Sequence, residues 1–317
     1  MKKINIYNDD SLNKYDEWKN PICIISDGAY GVSGFDGDTK HYSQLNEWYE
    51  PHIKKWSEKS TPQTTLWFWN TEIGWASIHP ILEDNGWLYR GCVIWDKGKG
   101  HIAGNVNTQT IRRVPPVTEI IVQYVRKPVF LVNNQEFSMQ DWLRQEWIRS
   151  GLPLSVANKA CGIKNAATRK YLTKDHLWYM PPGDMYDKLS EYANKYGKEE
   201  GKPYFSLDGK QSLSGNKWEQ LRAKFKCDFG ITNVWQYPPV RGEERIKIEG
   251  KALHPNQKPL ELVERCIRMT TDEKDVVWEP FGGLMTGMVA CQNLNREGYS
   301  CEINPDIFDI AKKRLGL

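Results

Sequence analysis

The sequence predicts an α/β fold: a mostly parallel sheet covered by helices and interrupted by a mostly helical insert. Three observations predict it. Short, continuous apolar runs recur in the first part of the chain and again near its end. Stretches with apolar positions at helical spacing lie between some of them. Residues 138–250 lose the strand pattern and become rich in Lys, Gly and Tyr.

The runs, in order, are residues 21–26 (PICIIS), 64–69 (TTLWFW), 91–95 (GCVIW), 119–125 (EIIVQYV), 275–278 (DVVW) and 298–301 (GYSC). Apolar runs this short, with no polar alternation, suit strands covered on both faces. Residues 260–267 (LELVERCI) and 307–315 (IFDIAKKRL) repeat their apolar positions at helical spacing. Strands that alternate with helices imply parallel pairing. The division expected is therefore a discontinuous domain, 1–137 with 251–317, around an insert at 138–250. Residues 195–210, rich in Gly, Lys and Pro, read as a loop.

Composition narrows the class. The 317 residues allow one large α/β domain with a smaller insert, or two modest domains. With 39% hydrophobic and 26% charged residues the chain reads as globular rather than disordered. Seven cysteines are scattered without a CxxC pair, which argues against a disulfide framework or a metal site and fits a reducing, cytoplasmic setting. The opening MKKINIYNDD has no apolar signal core. No run approaches the length of a membrane span, so no membrane partner is expected. The net charge is only +3, but residues 139–226 hold 16 Lys and Arg against 10 Asp and Glu. Such a basic segment can face phosphates; a solvated Lys-rich surface is the plain alternative. Fourteen Trp and fifteen Tyr can stack on bases, although most should fill the core.

Near the end, residues 276–287 (VVWEPFGGLMTG) read as strand, glycine turn and helix. Glycines let a backbone approach a ligand closely, and a turn at the carboxyl end of a parallel strand is where nucleoside cofactors dock. A second strand ends at Glu302, about twenty residues on, where an acid can hold both hydroxyls of a ribose. Just before this region stands HPNQKP, residues 254–259, leading into the apolar stretch from Leu260. Together these segments resemble the amino-methyltransferases of DNA, which modify N6 of adenine or N4 of cytosine. That family carries HP-[TS]-QKP, then D-P-F-x-G-[ST]-G, then a strand ending in E-x-N/D. The resemblance implies a Rossmann-like S-adenosylmethionine-dependent methyltransferase sheet. It implies that Glu279, Phe281, Gly283, Glu302 and Asn304 contact the cofactor, and that Lys258 and Pro259 shape its methionine end. Leu284 and Met285 stand where the family has Ser or Thr and a second Gly, and a side chain at 285 is expected to crowd the methionine moiety.

The chemistry of the reaction locates the other half of the site. An exocyclic amine shares its lone pair with the ring and is a poor nucleophile. An acidic side chain and a backbone carbonyl that accept its two N–H bonds pull the nitrogen toward sp³, while an aromatic ring stacks on the flipped base. Residues 27–30 (DGAY) follow a strand and supply all three: the Asp27 carboxylate, the Gly28 carbonyl and the Tyr30 ring. Taken alone, Asp-Gly is a common β-turn. The family motif is [DNS]-P-P-[YFW], so Gly28 and Ala29 replace two prolines and are expected to loosen the turn. The catalytic strand precedes the cofactor strand, as in the family's permuted β class. Residues 85–98 resemble its strand ending in I-W-x-K, and residues 118–122 (TEIIV) its H/T-E-x-I-L strand.

Within the insert, residues 154–171 read as helix, glycine turn and second helix, a spacing compatible with helix-turn-helix. The second helix would expose Lys164, Asn165, Thr168 and Arg169. Asn and Arg can bond adenine and guanine edges bidentately. An ordinary αα-hairpin with a solvated face explains the pattern equally well.

These readings converge on a site-specific, double-stranded-DNA methyltransferase of restriction–modification type. S-adenosylmethionine is the donor expected and a cognate restriction endonuclease a candidate companion. Monomer and homodimer both stay open. Asp in the first motif position leans toward adenine N6; Ser26, beside it, keeps cytosine N4 open. The alternatives are a catalytically inactive DNA-binding protein that retains the fold, and a methyltransferase of RNA or protein.

Overall fold

All six apolar runs form strands in the computed structural model, which describes residues 3–32, 38–98, 109–112, 114–132, 135–199, 201–248, 251–252 and 257–317. In chain order the elements begin with β1 (Ile4–Tyr7), β2 (Cys23–Ser26), α1 (Leu45–Lys59), β3 (Thr65–Asn70), α2 (Glu72–Asp84), β4 (Trp87–Asp96) and β5 (Thr118–Arg126). A central group follows: β6 (Phe130–Val132), β7 (Gln135–Phe137), α3 (Met139–Arg149), α4 (Ala157–Ala160), α5 (Gly183–Tyr196) and α6 (Gly215–Glu219). The chain ends with β8 (Val234–Gln236), β9 (Lys247–Ile248), β10 (Lys251–Ala252), α7 (Leu260–Thr270), β11 (Val276–Glu279), α8 (Thr286–Leu294), β12 (Glu297–Cys301) and α9 (Pro305–Arg314). Two compact units result, Met1–Arg126 with Ala223–Leu317, and Lys127–Arg222.

The first unit holds an eight-stranded sheet in the order β1-β12-β11-β2-β3-β5-β4-β8. Only β5 is antiparallel to its neighbours, β3 and β4; the remaining pairs are parallel. Side chains alternate along each strand, so one run feeds two cores. Cys23, Ile25, Trp67, Trp69 and Val277 pack against Leu262, Val263 and Ile267 of α7, Met288 and Cys291 of α8 and Ala311 of α9. Ile24, Leu66, Phe68 and Trp278 pack on the other face against Leu45, Tyr49, Ile53 and Trp56 of α1 and Ile78 and Leu82 of α2. Nine tryptophans, among them Trp56, Trp67, Trp69, Trp87 and Trp278, are fully buried, so this aromatic load is core material.

The topology fixes where a ligand can enter. Strands β11 and β2 are neighbours, yet β11 leads to α8 on one face and β2 to α1 on the other. Connections that diverge to opposite faces leave a crevice at the carboxyl ends of the two strands, the general ligand position of open α/β sheets.

Two sequence expectations change here. Residues 223–248, assigned to the insert, belong with the sheet unit, and β6 and β7, assigned to the outer domain, belong with the second unit: β8 extends the sheet beside β4, and Trp235 is buried in its core. A three-residue strand is too short to show a period. The helix-turn-helix also changes. Gly162 does close a turn at φ +67°, but the second helix shrinks to a π-helical turn at Ala167–Tyr171, which leaves Lys164 and Asn165 in the preceding bend. Local side-chain bonds take over from the helix: the Thr168 hydroxyl donates to the Leu154 carbonyl at 2.9 Å, and the Thr168 N–H donates to Asn158 Oδ1 at 3.3 Å. Thr168 therefore serves this packing, while Lys164, Asn165 and Arg169 are exposed. The second unit has its own core of Trp142, Trp147, Tyr186, Leu189, Phe205 and Trp218.

Candidate active site

Four turns at the carboxyl ends of adjacent strands enclose a cavity of about 490 Å³. Residues 9–11 follow β1, 27–30 follow β2, 279–284 lie at the end of β11, and 301–304 at the end of β12. That volume suits a nucleoside-sized ligand.

On the β11 side the glycine turn is tightly built. Gly283 has φ +50°, and its N–H donates to Glu302 Oε2 at 2.8 Å. The other oxygen of Glu302 accepts the Asn304 N–H at 2.8 Å. Asn304 Oδ1 in turn accepts from the Asp306 and Ile307 N–H groups and caps α9. Glu279 is buried and accepts the Gly287 and Met288 N–H groups at the start of α8. Burial pushes its carboxyl up to about 8, against these two bonds. Phe281 is wedged beside Trp48 and His52, with ring centroids 4.8 Å and 4.9 Å away. Met285 adopts φ +54°, so a non-glycine residue holds the left-handed conformation. Its side chain is fully buried in the core under the sheet and does not line the cavity, so the expected crowding at position 285 does not occur.

On the β2 side the turn is held by its surroundings rather than by prolines. The Ala29 carbonyl accepts from the Tyr49 hydroxyl at 3.0 Å and from Asn70 Nδ2 at 2.9 Å. Asp38 accepts the Tyr30 and Gly31 N–H groups at 3.0 Å and 2.8 Å. The looseness expected from Gly28 and Ala29 is thus offset by four hydrogen bonds from α1, β3 and the segment before α1. Among the described residues nothing donates to the Gly28 carbonyl.

Asp27 sits in a network of charges. Tyr30 donates its hydroxyl to Asp27 Oδ1 at 2.8 Å, and Lys258 Nζ lies 3.1 Å from the same oxygen. Lys258 also lies 3.1 Å from Glu119 Oε2, and Lys97 pairs with Glu119 Oε1. Burial raises the Asp27 carboxyl, with the Lys258 ammonium opposing. Burial would raise Glu119 too, but Lys258 and Lys97 hold it down to about 2.

The structure thus brings together Asp27, Gly28, Tyr30, Lys258, Glu279, Phe281, Gly283, Glu302 and Asn304 around one cavity. Pro259 stands outside its lining and caps α7. Lys258, expected at the methionine end of a cofactor, is bound to the Asp27 carboxylate. His254, Pro255 and Asn256 of the HPNQKP motif lie outside the described residues. Sequence reasoning missed Glu119, Lys97 and Asp38. Glu119 reaches Asp27 because β5 runs antiparallel to β3 and so starts at the edge where the parallel strands end, a direction the sequence pattern does not show.

A cavity at the strand-order reversal, with an acid at the end of β12 and an acid–carbonyl–aromatic turn after β2, lies where open α/β sheets bind their ligands. The chain belongs to the N6/N4 DNA methylase family, whose sequence model matches residues 15–313. It is similar to the type II methyltransferase M.BglII of Bacillus subtilis, 24% identical over 266 residues. That match covers 83% of this chain and 61% of the relative, so the chain spans about three fifths of that protein. The fold is similar to that of M1.HpyAVI, solved in complex with SAM, with a TM-score of 0.55 at 18% identity, covering 99% of this chain and 100% of that one. It is similar also to PvuII DNA methyltransferase (cytosine-N4-specific), with a TM-score of 0.54 at 14% identity, covering 98% and 86%. No helix among the described residues is long and apolar enough to cross a membrane.

Proposed function

We propose that this chain is a site-specific DNA methyltransferase that transfers a methyl group from S-adenosylmethionine to an exocyclic base amine, adenine N6 before cytosine N4. The observation that carries the reading is the Asp27 turn. Oδ1 accepts the Tyr30 hydroxyl and lies nearest Lys258, while no described residue donates a hydrogen bond to Oδ2 or to the Gly28 carbonyl. Two acceptors are therefore left for the two N–H bonds of an amine. The donor supplies a methyl carbon activated by a sulfonium: nitrogen bonds that carbon, the carbon–sulfur bond breaks with its electron pair left on sulfur, and nitrogen sheds a proton that Asp27 Oδ2 is placed to take.

The cavity suits this donor. Asp9, Asp10, Asp27, Asp38 and Glu302 line it against a single lysine, Lys258, so its charge favours a cationic ligand. Glu302 lines it as the acid to hold the ribose hydroxyls, and Phe281 with Trp48 offers an apolar wall. Purified protein should bind S-adenosylmethionine, and Glu302→Ala should weaken binding by about 10- to 100-fold, the loss of a charged hydrogen-bonding partner. Calorimetry that finds no heat with wild type, or equal affinity in the variant, would reject this donor site.

The unit Lys127–Arg222 supports a role in reading DNA through its excess of cations and the exposed Lys164, Asn165 and Arg169. Double-stranded DNA is the partner proposed, with a cognate restriction endonuclease as the companion activity. Affinity for duplex DNA should fall steeply with salt. Lys164→Ala and Arg169→Ala should each weaken specific binding by about 1–3 kcal/mol if they reach base edges, and leave donor binding intact. Wild-type methylation of the same sites by both variants would move the reader elsewhere. The experiment that decides the whole reading is transfer of labelled methyl from S-adenosylmethionine to unmethylated phage DNA, followed by nucleoside analysis. N6-methyladenine supports it in full, N4-methylcytosine moves the target base, and no transfer with DNA binding retained identifies an inactive DNA-binding protein.

A further inference from the structure

The charges around Asp27 form a closed set that its motif does not explain. Two carboxylates, Asp27 and Glu119, face two ammoniums, Lys258 and Lys97, with the Tyr30 hydroxyl between them. Glu119 bridges the two lysines, one on each oxygen. The Lys258 side chain is only 6% exposed, and its ammonium also lies over the Tyr30 ring at 4.9 Å. The one hydrogen bond that a described residue makes to the Asp27 carboxylate, from the Tyr30 hydroxyl, falls on Oδ1, the oxygen nearest Lys258.

We propose that Glu119 is a positioning residue for methyl transfer: it draws Lys258 to one side of Asp27, confines that ammonium to Oδ1, and so keeps Oδ2 open for the substrate amine. This rests on the reading of Asp27 as the acceptor of that amine. A buried ammonium facing a single carboxylate gains most by straddling both of its oxygens. A second carboxylate on the opposite side removes that preference, because the ammonium must satisfy both partners. Lys97 fixes Glu119 through its other oxygen, so Glu119 cannot follow Lys258 toward Asp27. The single Tyr30 proton serves the shorter contact, to Asp27 Oδ1, and secures the same orientation.

Two variants separate positioning from packing, because they move the titration of Asp27 in opposite directions. The groups that face Asp27 are Lys258 before α7, Glu119 on β5 and Tyr30 on its own turn, with Tyr49 of α1 and Glu279 of β11 further out. Lys97 faces Glu119. Transfer needs Asp27 ionised, so its titration sets the acid limb of the rate–pH profile. Glu119→Ala removes a negative neighbour of Asp27, and the acid limb should move to lower pH. Lys258→Met removes the ammonium that opposes burial, and the limb should move to higher pH.

The test is single-turnover transfer of labelled methyl to unmethylated phage DNA across pH, with donor affinity measured in parallel. Glu119→Ala should slow transfer by about 100-fold at the plateau, the usual cost of misplacing a reacting group, with donor affinity changed less than about twofold. Glu119→Gln keeps the oxygen that faces Lys258 and should recover part of the rate; it carries the test where Glu119→Ala does not fold. A wild-type plateau in Glu119→Ala, or acid limbs that move the same way in the Glu119 and Lys258 variants, overturns the proposal. Asp27→Ala is run alongside: if it retains full rate, the reading of Asp27 has failed, whereas a dead Asp27→Ala beside a fully active Glu119→Ala rejects positioning alone.

Discussion

Asp27→Ala is expected to lower the single-turnover rate of methyl transfer by about 10³-fold, the usual scale of a positioned acid–base group. Donor and DNA binding should persist, because the variant removes an acceptor used mainly in the transition state. Tyr30 and Lys258 would lose their shared partner, yet Lys258 keeps Glu119 at 3.1 Å, so the network need not collapse. Tyr30→Phe sharpens the experiment. The sequence motif asks of Tyr30 a ring that stacks on the base, and by that alone Tyr30→Phe would keep much of the activity. In the structure its hydroxyl fixes Asp27 Oδ1, so Tyr30→Phe should lose rate while Tyr30→Ala loses more. Labelled donor and chemical quench measure all three. Full activity in Asp27→Ala would place the catalytic centre elsewhere.

What the sequence revealed and what it hid follow from the range of the forces involved. Runs such as 64–69 were legible because two β-branched threonines followed by four large apolar residues suit a strand covered on both faces. The turn at Gly283 and the acid at Glu302 were legible because their spacing follows from one βαβ unit. Strand β1 was not: Ile4–Tyr7 is half-buried at the sheet edge, and its register with Gly298–Cys301 joins opposite ends of the chain. The supposed second helix of the insert failed for a local reason, because Thr168 and Asn158 bond the backbone instead of leaving it to a helix. The pairing of Glu119 with Lys258 was hidden, because the sequence assigns Lys258 to the cofactor and Glu119 looks ordinary in its own strand. Only the antiparallel run of β5 brings Glu119 to the edge where β2 ends.

Gly28 gives the second large effect, and it reverses the expectation drawn from the motif. If Gly28 and Ala29 merely loosened the turn, restoring proline would be harmless or helpful. A Cβ at position 28 would lie 2.7 Å from Cδ2 and Cε2 of Phe281 and 2.8 Å from the Tyr49 hydroxyl. Neither neighbour can retreat cheaply. Phe281 is packed against Trp48 and His52, and Tyr49 holds the Ala29 carbonyl. Gly28→Ala should therefore cost about 1–3 kcal/mol of stability, the range for overpacking a filled core. Gly28→Pro should cost at least as much and displace both the Asp27 carboxylate and the cofactor wall at Phe281. The two motifs are thus matched to each other: the glycine after Asp27 makes room for the phenylalanine ring of the other turn. Shortening that ring tests the match directly. Phe281→Leu combined with Gly28→Ala should be more stable than the sum of the single effects predicts, a coupling of about 0.5–3 kcal/mol for residues in contact. Denaturant titration of the wild type, both single variants and the double variant gives that number. Strict additivity, or a Gly28→Pro protein with wild-type stability and rate, would show that the space beside Gly28 is not filled in solution.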